Sequence, residues 1–297
     1  MKAMVIGCNG LLGQNLLRTI PEGWQVSGSG LESEPELPDL LSAYRSVDIS
    51  KREDLERAIA SEAPDWIFNA AAVTDVDHCE RDPALAGLIN RDTVGWMAAS
   101  GIPVVQVSTD YVFDGEAGPY SEDAPTRPLS VYGSTKLESE ALVQSASKRS
   151  LIIRTMTLWG RGKGGKSAKT SFVDFVRNKL TAGETVRIVT DQIGNATLAE
   201  DLALGIWKLV EGGHAGVFHV AGSERNSRFD WAVGIADHYG LDRALIKPCL
   251  TSDLKQAARR PLNSGLRLDK LVAATGFLPR DIAGQIRRMD ELSASAG

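Results

Sequence analysis

Residues 3–20 read AMVIGCNGLLGQNLLRTI: a short apolar run, then glycines at 7, 10 and 13, then an amphipathic stretch. Glycines spaced three apart between a strand and a helix permit a tight turn and close backbone approach. The helix that follows offers unpaired N–H groups to a pyrophosphate. A glycine-rich turn of no special role has the same composition. Its position between the first strand and the first helix is what makes Gly7, Gly10 and Gly13 a dinucleotide loop.

Outward from that loop, β-rich runs alternate with helical ones: WQVSG (24–28), YRSVDI (44–49) then REDLERAIA (52–60), DWIFNA (65–70) then a long helix to about Ser100, and PVVQVS (103–108). Such alternation means βαβ units and a parallel sheet. Helical periodicity from Tyr132 to Ser145 and a sixth strand at Leu151–Arg154 complete a Rossmann-type, doubly wound α/β fold. Residues 1–155 are therefore expected to form the dinucleotide-binding domain. Residues 156–297 are expected to be mainly a smaller α/β substrate-binding lobe, with segments near 186–220 returning to the large sheet. Helices are expected at 172–180, at 199–211 and near Asp230 and Asp281, with strands near Val186 and at 217–220.

Composition narrows the function classes. The chain has 297 residues, 29 glycines against 12 prolines, and a formal charge of −5, which lacks the basic footprint of a nucleic-acid binder. Cys8, Cys79 and Cys249 are too far apart for a zinc spacing or a disulfide framework, which suits a reducing cytoplasm. The apolar run 3–6 is too short for a signal-peptide core, and nowhere do eighteen apolar residues follow one another. The expectation is a soluble cytoplasmic protein, monomer or homodimer, with no nucleic-acid or membrane partner.

After the second strand, WQVSGSGLE has no immediate acidic residue for the adenosine ribose and no arginine for a 2′-phosphate. Small Ser27, Gly28 and Ser29 leave room for that phosphate, which favours NADPH slightly over NADH. Asp48 and Ile49, ending the third strand, are read either as flanking the adenine or, for Asp48, as the N-cap of the next helix.

A second constellation is STDYVFDG (108–115) followed by VYGSTKLESE (131–140). Thr109 and Asp110 end the fifth strand, and Tyr132 and Lys136, four apart, share a helical face. A free phenol titrates near 10, and an adjacent ammonium is expected to lower that towards the working range and make Tyr132 a general acid. Thr109 can hydrogen-bond a substrate oxygen as negative charge develops on it. A Tyr-x-x-x-Lys pair alone is common on solvated helices. After strand five of a chain with a cofactor loop at strand one, it points to carbonyl reduction.

These stretches, with FNAAAVTDVDHCE, the Asn90 region, LIIRT, DQIGNAT and ARRPLNS, resemble the extended short-chain dehydrogenase/reductases and, among them, the dTDP-4-dehydrorhamnose reductase family, over about residues 3 to 290. The resemblance implies catalytic Thr109, Tyr132 and Lys136. It implies cofactor contacts at Gly7, Gly10, Leu11, Leu12, Gly13, Asp48, Ile49, Ala70, Ala71, Ala72 and Lys136, and substrate contacts at Thr109, Asp110 and Arg260. It also implies NAD(P)H-dependent reduction of a nucleotide-linked 4-keto-6-deoxy sugar. Two other readings are carried beside it: a nucleotide-sugar epimerase, and a non-catalytic regulatory subunit resembling that of methionine adenosyltransferase. A dehydratase is disfavoured by Tyr111, where those enzymes resemble one another in carrying glutamate.

The chain departs from the family on the substrate side. Met156 and Thr157 stand where an aromatic residue is usual, Trp159 is displaced, and Ala196 replaces a proline. The segment GRGKGGKS (160–167) matches a P-loop pattern but interrupts a complete Rossmann unit. It reads instead as a mobile glycine–lysine loop whose Lys163, Lys166 or Lys169 can meet a substrate pyrophosphate. His214 and His219 give no metal spacing, so no metal is expected. Cys8 and the tryptophans at 66, 96, 207 and 231 read as packing residues.

Overall fold

The computed structural model describes residues 1–162 and 171–294. The chain runs through β1 (Lys2–Ile6), α1 (Leu11–Arg18), β2 (Gln25–Gly30), β3 (Ala43–Ser46), α2 (Arg52–Glu62), β4 (Trp66–Asn69), α3 (Val76–Arg81), α4 (Pro83–Gly87), α5 (Thr93–Ala99), β5 (Val104–Thr109), α6 (Val131–Ala146) and β6 (Leu151–Thr155). It continues through β7 (Leu158–Trp159), α7 (Phe172–Thr181), β8 (Val186–Val189), β9 (Ile193–Gly194), β10 (Thr197–Leu198), α8 (Ala199–Glu211), β11 (Gly216–His219), β12 (Asn226–Ser227), α9 (Arg228–His238), β13 (Ile246–Cys249), α10 (Asp269–Thr275) and α11 (Ile282–Ala294).

Seven strands make one sheet in the order β11-β6-β5-β4-β1-β2-β3, every pair parallel. Parallel strands need helical crossovers, which cover both faces, so interior strands carry unbroken apolar runs. β4, WIFN, is buried at all four positions. One face packs Leu12 and Leu16 of α1 with Leu202, Ile206 and Trp207 of α8. The other packs Leu55, Ile59, Val94, Met97 and Val143 from α2, α5 and α6. Trp207 also donates its indole N–H to the Leu16 carbonyl at 3.1 Å, tying α8 to α1. Strand order reverses beside β1, and the crevice above that reversal is where open α/β sheets bind ligands.

The long helix expected after β4 is in fact broken. Asp75 caps α3 by accepting from the His78 N–H at 2.9 Å. Asp82 restarts the helix by accepting from the Leu85 N–H at 3.0 Å, with Pro83 at the first helical position, where its missing N–H costs nothing. A π turn at Leu88–Asp92 then joins α4 to α5. β3 ends at Ser46, so Asp48 and Ile49 lie beyond the strand they were expected to end.

A second core gathers Trp159, Val173, Val176, Trp231, Ile235, Ile286 and Met289. Of the stretch 186–220, β11 joins the large sheet on β6, whereas β8 pairs in parallel with β13. β7 with β10 and β9 with β12 form short pairs between the two regions. Among the described residues no helix is long and apolar enough to cross a membrane.

Candidate active site

The glycine loop is built for close approach. Gly7 has φ +80°, and a Cβ there would stand 2.9 Å from the Ala71 nitrogen; one on Gly13 would stand 2.3 Å from the Gly7 carbonyl. Gly7 and Cys8 N–H groups donate to the Ser29 carbonyl at 2.8 and 3.0 Å, fixing the loop to the end of β2. Gly10 is the N-cap of α1 and brings no side-chain acceptor, and the first turn holds no acidic residue. The first-turn N–H groups around Leu11, Leu12 and Gly13 therefore lack partners within the helix and can hold an anion. Burial, followed by the charge of Glu32, pushes the Cys8 thiol up to about 12, so it is a packing group and not a nucleophile.

Beside this loop stands a carboxylate that sequence reading passed over. Asn9 Nδ2 donates to Glu32 at 3.0 Å and to the Glu34 carbonyl at 3.1 Å, while its Oδ1 accepts from the Glu36 N–H at 3.0 Å. One amide side chain thus folds residues 32–36 back over the end of β2, and Tyr44 secures them by donating to the Glu32 carbonyl at 2.7 Å. The signal was present as Glu32 in WQVSGSGLE, two residues past the strand end. Asp48 does not cap α2, whose N-cap is Lys51; its carboxylate accepts instead from the Ser50 N–H and hydroxyl at 3.1 and 2.6 Å. Those bonds hold its pKa below the usual carboxylate range. Ile49, half-buried, follows it in the same turn.

Ala70, Ala71 and Ala72 follow β4 and cross in front of Gly7. Asn69 holds them, accepting from the Ala71 N–H at 3.1 Å and donating to Gln106 at 2.8 Å; Gln106 in turn donates to Ser139 of α6 at 3.2 Å. Asn90, in the π turn, accepts from the Val73 N–H at 2.9 Å and donates to the Val73 carbonyl at 3.0 Å. The π turn therefore has a local task, presenting one side chain that satisfies both backbone polar groups of Val73 in the loop.

Thr109 closes β5 with its hydroxyl accepting from the Tyr111 N–H at 3.2 Å and donating to Asp110 at 3.1 Å. Tyr132, half-buried on the first turn of α6, stands close to Thr109, and its ring meets that of Tyr111 edge-on at 5.6 Å. The expected lowering of its pKa does not occur. Burial dominates and raises it, against the opposing effect of the Thr109 hydroxyl. Being four apart on a helix sets a shared face, not the balance between desolvation and charge. Lys136 is itself buried, and burial pulls it down to about 8 against the opposing charge of Glu140.

Glu140 belongs to a buried pair that the sequence did not reveal. Arg154 of β6 donates to it through Nε at 3.0 Å and Nη2 at 2.7 Å, and Ser108 adds a hydroxyl at 2.5 Å. Both side chains of the pair are more than nine-tenths buried. The stripe Tyr132, Lys136, Glu140 thus lies against the ends of β5 and β6.

Asp110 is buried, bonded by Thr109 and by Ser264 at 2.5 Å; burial raises it to about 6 against those bonds. It lines a cleft with Tyr111, Met156, Thr157, Gln192, Gly194, Arg228, Trp231 and Ser264. Arg260 is held by Asp77 at 2.9 and 3.1 Å, which directs its fork to the α3 side. Arg228 and Ser264 were not singled out from sequence; Ser264 ends the quoted ARRPLNS. His219 is buried and pushed down to about 3 by burial, hence neutral. Among the described residues no group of three His, Cys, Asp or Glu is placed to hold a metal ion, and the three cysteines are buried and not disulfide-bonded. Lys163, Lys166 and Lys169 lie outside the described residues. The described start of their loop is anchored, because Arg161 pairs with Asp174 at 2.9 Å.

The glycine cradle, the open first turn of α1 and the buried ammonium of Lys136 fit a dinucleotide, on backbone geometry and charge. The Tyr132 phenol and the Thr109 hydroxyl, adjacent to Tyr111 and Asp110 of the cleft wall, can serve a carbonyl.

The family described as RmlD substrate binding domain matches residues 1–293. A probable low-salt glycan biosynthesis reductase of Haloferax volcanii is 35% identical over 282 residues, covering 93% of each chain. A crystal structure of a dTDP-4-dehydrorhamnose reductase from Clostridium acetobutylicum superposes with a TM-score of 0.85 at 30% identity, covering 99% of this chain and 100% of that one. The dTDP-4-dehydrorhamnose reductase of Bacillus anthracis in complex with NADP gives 0.82 at 26% identity, covering 97% and 98%.

Proposed function

The chain belongs to the RmlD substrate binding domain family, and from that premise we propose that it is an NAD(P)H-dependent reductase of a nucleotide-linked 4-keto-6-deoxy sugar. The observation that carries the reading is the Tyr132 phenol close to Thr109 at the end of β5, one helical turn before buried Lys136, in a chain whose first strand runs into the glycine cradle. The comparisons favour neither the epimerase nor the regulatory subunit. Reductases head the related structures, and one of them is described with NADP.

In this reading the coenzyme supplies the hydride. Gly7, Gly10, Leu11, Leu12 and Gly13 hold its pyrophosphate, Asp48 and Ile49 flank the adenine side, and Ala70, Ala71, Ala72 and Lys136 line the path to the nicotinamide. Tyr132 gives its proton to the sugar carbonyl oxygen. Burial keeps that phenol protonated until the oxygen becomes basic. Thr109 turns its hydroxyl from Asp110 to the same oxygen as charge develops, and Asp110 and Arg260 contact the rest of the substrate. Residues 1–155 serve the coenzyme side and 156–297 mainly the substrate side. A cytoplasmic location and a monomeric or homodimeric state go with this assignment.

Oxidation of NADPH and of NADH, with enzymatically generated dTDP-4-keto-6-deoxyhexose as acceptor, tests it. Tyr132→Phe is expected to lower turnover about 100- to 10,000-fold with coenzyme affinity retained. Unchanged turnover would remove Tyr132 from the reaction.

A further inference from the structure

Three arginines stand near the cleft, and two of them are answered by carboxylates: Arg154 by Glu140 and Arg260 by Asp77. Arg228, the first residue of α9, is not. Among the described residues its guanidinium makes one hydrogen bond, a long one of 3.4 Å to the Thr157 hydroxyl, and lies 5.6 Å over the Trp231 ring. The charge of Asp110 acts on it, but the two oxygens of Asp110 already accept from Thr109 and Ser264. Of the five donors in its rigid fork only one meets an acceptor, a weak one, and the half-buried remainder stay open to an anion.

Two further features belong to the same wall. Thr157, the sole acceptor, has φ +34°, a left-handed backbone that a β-branched residue rarely adopts. The Trp231 indole N–H is buried and has no hydrogen-bond partner. The wall therefore offers donors in excess of acceptors, and this surplus suits a group with several negatively charged oxygens.

We propose that Arg228 is a specificity-determining residue that recognises an anionic group of the substrate through its planar fork. The inference rests on the reading of this cleft as the nucleotide-sugar site. A diphosphate and a sugar carboxylate share the required chemistry, being oxygen-rich anions that accept two N–H bonds at once.

Calorimetric titration of the full chain with dTDP, UDP-glucose and UDP-glucuronate, comparing the parent with Arg228→Gln and Arg228→Lys, separates the sources. If the fork holds the diphosphate, Arg228→Gln weakens all three about 10- to 100-fold. If it holds a carboxylate, only UDP-glucuronate loses, by the same factor. Arg228→Lys keeps the charge without the fork and is expected to fall between parent and Gln; it also serves should the Gln variant not fold. Parent-like affinity of the folded variants for all three ligands overturns the proposal. Such a result leaves Tyr132-dependent turnover standing, whereas failure of the reductase reading would abolish turnover and leave the anion affinities as they are.

Discussion

Glu140→Gln tests the ground on which Lys136 stands. The carboxylate takes two N–H bonds from Arg154, at 3.0 and 2.7 Å, and a hydroxyl from Ser108 at 2.5 Å. An amide keeps the shape and one acceptor but removes the charge, leaving Arg154 with a single neutral acceptor there beside the Glu122 carbonyl at 3.1 Å and the Phe113 face. Breaking one side of a buried pair costs about 3–5 kcal/mol, and at roughly 2–4 °C per kcal/mol for a chain of this size the melting temperature falls by about 6–20 °C. The second consequence is electrostatic. Glu140 is the leading charge that holds the Lys136 pKa as high as about 8, so its loss moves that value further down. Lys136 titrates below its unfolded value of 10.5, and the folded chain loses this proton first as pH rises. The ammonium is therefore present below about pH 8 and absent above it, and coenzyme affinity should decline through that region. In Glu140→Gln the decline begins at lower pH. Thermal unfolding followed by circular dichroism, and coenzyme titrations across pH, read the two effects separately. The double variant Glu140→Leu with Arg154→Met should recover most of the stability, because no charge is left unpaired, but not the pH profile. A melting temperature within about 2 °C of the parent, or an unmoved alkaline limb, would refute the reasoning.

Two other expectations concern the coenzyme side. Gly13→Ala drives a methyl to within 2.3 Å of the Gly7 carbonyl and 2.5 Å of the Cys8 Cα, both backbone atoms that cannot yield singly. Coenzyme affinity, read by fluorescence titration, should fall about tenfold or more, and parent-like binding would show that the loop does not need this approach. Glu32→Gln removes a negative charge from the edge of the space that a 2′-phosphate would enter. It should shift the ratio of NADPH to NADH affinity about tenfold towards NADPH, and an unchanged ratio would place the adenosine ribose elsewhere.

What the sequence disclosed and what it hid follow one physical division. Gly7, Gly10 and Gly13, the helix at Ala199–Glu211 and the Tyr132–Lys136 spacing depend on local periodicity and turn chemistry, which neighbours along the chain express directly. β3 was carried three residues too far because Val47, buried beyond its end, continues the apolar pattern after the pairing stops. Glu32 escaped because its relevance comes from Asn9, 23 residues earlier, folding the loop over the strand end. The pairing of Arg260 with Asp77 was not foreseen because the two are 183 residues apart and nothing local announces the pair. Arg228 sits on the first turn of α9, and only the packing of the second core brings that turn to Asp110 and Thr157.

Desolvation was the quantity furthest from reach, and it changes the chemistry assigned to the two best-read residues. Free in water, a phenol near 10 and an ammonium near 10.5 are acids of similar strength, with the phenol slightly the stronger. In the folded chain burial raises the first and lowers the second to about 8, so the order is inverted and Lys136 becomes the stronger acid. A phenolate left on Tyr132 after proton donation is then more basic than the amine one helical turn away. Return of a proton from the Lys136 side, relayed by hydroxyl groups or water, then runs downhill. The spacing of the two residues brings them to one face of α6, but it is their removal from water that gives the proton a direction.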